Sequence, residues 1–173
     1  MFLDLVKKRR SIRKYTDESI PETDIEKILE SGILAPTGDN VQGTEFIVVE
    51  DKKELEKLSE FKESDGKFIK NAAFAIAIIA KKDSVTYSQD VCVAASYIQL
   101  AAEDLGYGSC WANCLGEYNT EGLSAEESLK QILDIPDDYY ALGAISIGHK
   151  GQKRREKEIL RQGRIHRGKF NKK

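Results

Sequence analysis

Residues 72–80, Ala-Ala-Phe-Ala-Ile-Ala-Ile-Ile-Ala, form the longest apolar run in the chain, and they constrain its fold more than any other segment. Nine residues are too few to span a membrane, which takes about 20, so the run reads as a buried strand. Residues 46–49, 108–112 and 141–148 read as further strands. Phe2, Leu5 and Val6 share helical spacing, which predicts a short helix over about residues 2–9. Ser19-Ile20-Pro21, with Glu22 and Asp24 just inside, opens a second helix, because Pro suits the first turn and acidic groups suit the positive end of the helix dipole. Its apolar stripe is Ile25, Ile28, Leu29 and Ile33, and Pro36 ends it. Leu55, Leu58 and Phe61 predict another short helix. Residues 88–105 predict a long Ala-rich helix closed by Gly106. Ser124 and Glu127 form a capping box that opens a helix through Leu129, Ile132 and Leu133, stopped by Pro136. The order implies an α+β fold with a small sheet covered by helices. The long gaps between strands argue against hairpins.

With no internal repeat, low-complexity stretch or flexible linker, residues 1–173 read as a single domain, and 40% hydrophobic content suits a soluble globular protein. The apolar start is broken at Asp4 and its basic residues follow rather than precede it, so no leader is expected and a cytoplasmic location is. Cys92, Cys110 and Cys114 are an odd set expected to be reduced thiols. Only two of them lie close together and only two histidines are present, so no metal site is expected. Residues 150–173 carry eleven Lys/Arg against Glu156 and Glu158, a local +9; the net charge of −2 leaves −11 for the rest. A basic tail suits a nucleic acid, an anionic cofactor or an acidic partner. No aromatic-interleaved platform or recognition motif accompanies it, which weighs against nucleic acid.

Residues 7–13, Lys-Lys-Arg-Arg-Ser-Ile-Arg, put five cations and a hydroxyl into seven residues. A phosphate needs several such donors converging on it. An extended path after a helix would set Arg9, Ser11 and Arg13 on one side, because side chains alternate along a strand.

Read with three other segments, this stretch resembles the N-terminal signature of the nitroreductase family. Residues 35–42, Ala-Pro-Thr-Gly-Asp-Asn-Val-Gln, resemble the family's second motif. Gln89-Asp90 with the Ala-rich helix and Gly106-Tyr107-Gly108-Ser109-Cys110-Trp111 is similar to the third. Residues 133–136 through Ile147-Gly148-His149-Lys150 look like its closing helix, strand and turn. The ordered match covers nearly the whole chain.

The resemblance implies a small, mostly antiparallel central sheet in an intertwined homodimer with FMN at the interface. It implies two-electron transfer from NADH or NADPH through FMN to an organic acceptor, such as a nitroaromatic or quinone, in alternating half-reactions; the alternatives are a non-catalytic FMN-binding or storage flavoprotein, or a specialised member of the superfamily acting on a different acceptor. It does not imply a membrane or nucleic-acid partner. Carried over by residue, Arg9 and Ser11 would contact the flavin phosphate, Arg10 would assist, and Arg13 would reach the N1/O2 edge of the ring. A cation there would stabilise the charge that reduction creates. Pro36, Thr37 and Gly38 would pack near the ring of the other subunit's flavin, with Asn40 and Gln42 offering amides. Asn113 and Cys114 would stand where family backbone amides face the ring. Lys153 and Arg155 would return to the phosphate, and the tail from about residue 150 would wrap the partner, anchored by Ile165 and Phe170. Two departures bear on the acceptor. Gln42-Gly43-Thr44 replaces the family's common Gln-Pro-Trp, and residues 117–122 are short for a lid.

Overall fold

A computed structural model describes residues 1–160 and 163–170. Its centre is a four-stranded, fully antiparallel sheet in the order β1-β2-β4-β3, built from β1 (Thr44–Val49), β2 (Phe74–Lys81), β3 (Gly108–Asn113) and β4 (Tyr139–Gly148). Among the described residues, five α-helices surround it: α1 (Phe2–Lys8), α2 (Glu22–Ile33), α3 (Lys52–Leu58), α4 (Tyr87–Asp104) and α5 (Ala125–Ile132). The antiparallel α+β architecture is the expected one. No helix among the described residues is long and apolar enough to cross a membrane.

Strand alternation sorts β2 into two half-cores. Phe74, Ile76, Ile78 and Ala80 pack with Ile25, Ile28, Val91, Ala95 and Ile98 of α2 and α4. Ala75, Ala77 and Ile79 face the other way, toward Leu55, Leu58, Phe61 and Leu129 of the α3 and α5 side. The apolar run is thus buried on both faces because each face has its own helical layer. A register shift after Ile78, opposite Gly143, lets β4 bend across the sheet.

Local signals set most boundaries. The Asp51 carboxylate caps α3 by accepting from the Lys53 and Glu54 amides, and the Ser124 hydroxyl accepts from Glu127 N–H at 3.2 Å to open α5. Gly106 takes the left-handed path (φ 92) just after Leu105 closes α4. Helix α2 opens where expected, with Pro21 as its N-cap and Glu22 and Asp24 in its first turn, but it stops at Ile33, three residues before Pro36. Ile33, read as part of the stripe, is 62% exposed.

Helix α1 has no buried residue at all: Phe2, Leu3 and Val6 are 71%, 56% and 40% exposed. The tail after Gly148 forms no helix or strand among its described residues, and Ile165 and Phe170 lie exposed. Residues 161–162 and 171–173 of the tail expected to wrap a partner lie outside the described residues.

Candidate functional site

The basic N-terminal segment is held against the edge of the sheet. Arg9 leaves α1 with an extended backbone (φ −56, ψ 120), and Ser11 then bridges Ser109 of β3 in parallel, with Ile12 N–H donating to the Ser109 carbonyl at 2.9 Å. Ile12 is 3% exposed and sits on Gly108, where a Cβ would come within 2.7 Å of it. Glycine at 108 is therefore what allows the segment to lie this close to β3.

Pinned by Ile12, the segment sends its side chains two ways. The extended path puts Arg9, Ser11 and Arg13 on one side of it, the side that faces Cys110 of β3. Burial pushes that thiol's pKa up; Arg13, Ser11 and Arg9 partly offset the rise. Arg10 and Ile12 instead line a cleft of about 480 Å³ with Lys8, Glu103, Gln152 and Lys153. On the first side, the Arg9 guanidinium donates to the Gln99 side chain of α4 at 3.3 Å. The Arg13 guanidinium lies 5.5 Å from the centre of the Phe68 ring, a cation–π distance. Arg13 Nε is buried and has no hydrogen-bond partner. An orphaned buried donor costs about 1–3 kcal/mol, so this position calls for an acceptor.

The second motif is a strained loop. After Pro36 and Thr37, residues Gly38–Asn40 make a single 3-10 turn, and Asp39, Asn40 and Gln42 all have left-handed φ (48, 54 and 52). Asp and Asn tolerate this region, whereas Gln does not favour it. Each such residue costs of order 1–3 kcal/mol unless its surroundings enforce it. Here the Thr37 hydroxyl accepts from Gln42 N–H at 2.9 Å, and the Asp90 carboxylate accepts from Gly38 N–H at 3.0 Å. Pro36, Asn40 and Gln42 are exposed, while Thr37 and Gly38 are half-buried. Within one chain the two motifs are separate: the loop contacts α4 at Asp90 and Arg9 contacts it at Gln99, about 14 Å further along the axis at 1.5 Å per residue.

At the end of β3, the Lys62 ammonium is 3% exposed, donates to the Asn113 carbonyl at 3.2 Å and lies 3.6 Å from Glu117. Glu117 also accepts from the Ser64 hydroxyl, and this contact is the main cause of its lowered carboxyl pKa. Asn113 is half-buried, so it remains in reach of a ligand. Cys114 is different. It is 5% exposed, its N–H donates to Leu142 O at 3.0 Å, and its thiol packs in the core, where desolvation drives its pKa far up. Such a thiol is a packing group rather than a nucleophile. In the tail, Lys153 lines the cleft with Arg10, and Arg155 meets the N-terminal segment through its carbonyl, which accepts from Arg10 Nη1 at 2.5 Å.

Four residues of this site carried no assigned role in the sequence: Phe68, Gln99, Cys110 and Lys62. Phe68 comes from the connection between α3 and β2, and no periodic pattern points from it to Arg13. Gln99 and Arg9 are 90 residues apart and meet only because α1 packs along α4. Among the described residues, no group of three or more His, Cys, Asp or Glu could hold a metal ion.

The chain as a whole has counterparts. The nitroreductase family model matches residues 6–65 and 59–149. The structure of an FMN-dependent nitroreductase from Clostridium difficile R20291 superimposes with a TM-score of 0.91 at 36% identity, covering 97% of this chain and 99% of that one. A relative from Archaeoglobus fulgidus, provisionally named NADH dehydrogenase/NAD(P)H nitroreductase, is 38% identical over 152 residues, 85% of this chain and 84% of its own. The FMN reductase [NAD(P)H] of Bacillus subtilis is 27% identical over 168 residues, covering 88% and 67%. The expected oxidoreductase class, with FMN and a nicotinamide donor, thus has its equivalents among these relatives. The chain belongs to the nitroreductase family.

Proposed function

We propose that this protein is an FMN-dependent oxidoreductase that takes two electrons from NADH or NADPH and passes them to an organic acceptor, with nitroaromatics and quinones as the acceptors to test first. The observation that carries the reading is Arg13 Nε, buried without an acceptor at the end of a basic segment pinned to the edge of β3. A flavin fits this donor set. In this reading Arg9 and Ser11 hold its phosphate, and Arg13 donates to the N1/O2 edge of its ring. FMN, when bound, supplies the two-electron chemistry between donor and acceptor.

The chain's own residues then do the rest. Arg13 is kept in place by the Phe68 ring, so its cation is fixed before charge develops at the ring edge and needs no reorganisation. The 3.3 Å hydrogen bond to Gln99 restrains Arg9. Lys62 fixes the end of β3 through the Asn113 carbonyl.

The exposed Asn40 and Gln42 complete the site from a second copy of the chain in this reading. Two observations favour a homodimer with a shared site: the two motifs contact α4 about 14 Å apart within one chain, and Phe2, Leu3 and Val6 of α1 are exposed. Lys153 lines the cleft with Arg10 on the other side of the segment, and Arg155 meets Arg10 through its carbonyl, so this reading assigns the phosphate to Arg9 and Ser11.

The test is the visible spectrum of purified protein, followed by anaerobic titration with NADH and with NADPH. Flavin absorbance that bleaches on titration and returns when a quinone is added is the expected result. A colourless protein that also fails to take up added FMN would refute the proposal.

A further inference from the structure

We propose that Asp90 is a positioning residue: its buried carboxylate clamps the 36–42 loop to the start of α4, so that Asn40 and Gln42 are presented to the cofactor in one fixed geometry. The inference rests on the reading of that loop as cofactor-facing.

Asp90 stands in the first turn of α4 and is 6% exposed, so its carboxylate needs partners. Both oxygens have one. Oδ1 accepts from the Gly38 amide at 3.0 Å, and Oδ2 accepts from the Thr86 hydroxyl at 2.8 Å. Thr86 is the residue that precedes α4, and a Cβ at Gly38 would run into its side chain. The carboxylate therefore ties three things together: the helix start, the Thr86 side chain and the backbone of the loop. What it ties down is costly to hold. Asp39, Asn40 and Gln42 follow directly, all left-handed and none a glycine, and a backbone of that kind persists only where its surroundings over-determine it. The Thr37 hydroxyl closes the loop on itself through Gln42 N–H, but it does not join the loop to the rest of the fold. The Gly38–Asp90 bond does. Released from it, the loop has cheaper backbone paths available, and Asn40 and Gln42 would sample many orientations instead of one. Binding energy would then go into ordering the loop.

This predicts a pattern that a merely stabilising residue would not give. Asp90→Asn keeps an acceptor for Gly38 N–H and can still pair with the Thr86 hydroxyl, so it should hold FMN within about threefold of wild type. Asp90→Ala removes both contacts and should weaken FMN by about tenfold or more, with a shifted two-electron midpoint potential. Thr86→Val should fall between them, and it serves where Asp90→Ala does not fold. Leu129→Val, in the other half-core, should lower Tm while leaving FMN affinity and potential unchanged.

The experiment measures FMN Kd by fluorescence titration, midpoint potential and Tm for the wild-type chain and these four variants. The proposal stands if FMN affinity follows the order wild type, Asp90→Asn, Thr86→Val, Asp90→Ala while Leu129→Val stays at wild type. It is overturned if Asp90→Ala, or Thr86→Val in its place, binds FMN with wild-type affinity and potential. It is equally overturned if Asp90→Asn fails as badly as Asp90→Ala. A wild-type chain that binds no FMN would instead refute the flavin reading itself, and this inference with it.

Discussion

Strand β2 and helix α1 make an instructive pair. Both are rich in apolar side chains, yet seven of the eight β2 residues are buried and none of the seven in α1 is. The strand satisfies its hydrophobic surface inside one chain, with α2 and α4 on one face and α3 and α5 on the other. The helix leaves Phe2, Leu3 and Val6 exposed, and Ile33 at the end of α2, Leu34 after it, and Ile159, Leu160, Ile165 and Phe170 in the tail are exposed too. Scattered exposed apolar residues are normal, but a helix with no buried side chain is not self-sufficient. The lesson is that apolar patterning has two uses here: one region makes the fold, while the other, in the proposed homodimer, joins two folds.

The contrast can be broken most forcefully at the strand. Phe74→Ala removes a large, fully buried side chain from the α2–α4 half-core and should cost about 3–5 kcal/mol of stability. Urea denaturation measures it; a loss under about 1 kcal/mol would mean the half-core is loosely packed. The double change Phe2→Ser with Val6→Ser should do the opposite. It should weaken association without lowering the stability of the monomeric fold, read by sedimentation and denaturation of the same sample. Dissociation unchanged from wild type would separate α1 from the interface. Arg13→Ala removes a charged donor aimed at the proposed ring edge, worth about 1.5–3 kcal/mol, and should weaken FMN accordingly with little change in fold stability. Unchanged affinity and potential would take Arg13 out of its role.

The smallest expected effect lies at the far side of the α2 layer. The Asp24 carboxylate accepts from Lys27 and from the Tyr107 hydroxyl, and these bonds hold its pKa below the ordinary value, Lys27 contributing most. Burial, with Asp24 beside it, pushes the Tyr107 pKa up to about 12, so it stays a neutral donor. A depressed folded-state carboxyl stabilises the fold above its unfolded pKa, and that stabilisation is lost as pH falls through the folded value. Tyr107→Phe removes one of the two donors, so its stability should decline less steeply with acid than that of wild type. Parallel acid curves for the two proteins would contradict this.

Much of the fold was legible because its signals are local. The apolar run marked β2, Ser124 and Glu127 marked the start of α5, and the alternation of Arg9, Ser11 and Arg13 followed from an extended path. Ile33 was misread because a stripe on a helix shows which side is apolar, not what covers it. The strained loop was half legible: Asp39 and Asn40 are residues that accept left-handed backbone, whereas Gln42 gives no such hint and is held there by Thr37. Cys114 reads in sequence as a possible neighbour of the cofactor, but burial makes it part of the core. Phe68 under Arg13 was invisible, since that contact joins residues 55 apart through tertiary packing alone.

The seven residues of α1 also hold the segment that follows them. A helix this short is not self-sustaining in water, so whatever covers its exposed apolar residues also steadies Arg9, while Ile12 holds the rest of the segment on β3. In the proposed homodimer, association and cofactor uptake then draw on one conformational equilibrium, and each must raise the apparent affinity of the other by the same factor. Dilution should therefore bleed FMN from the protein, and saturating FMN should hold the two chains together at concentrations where the apo chains part.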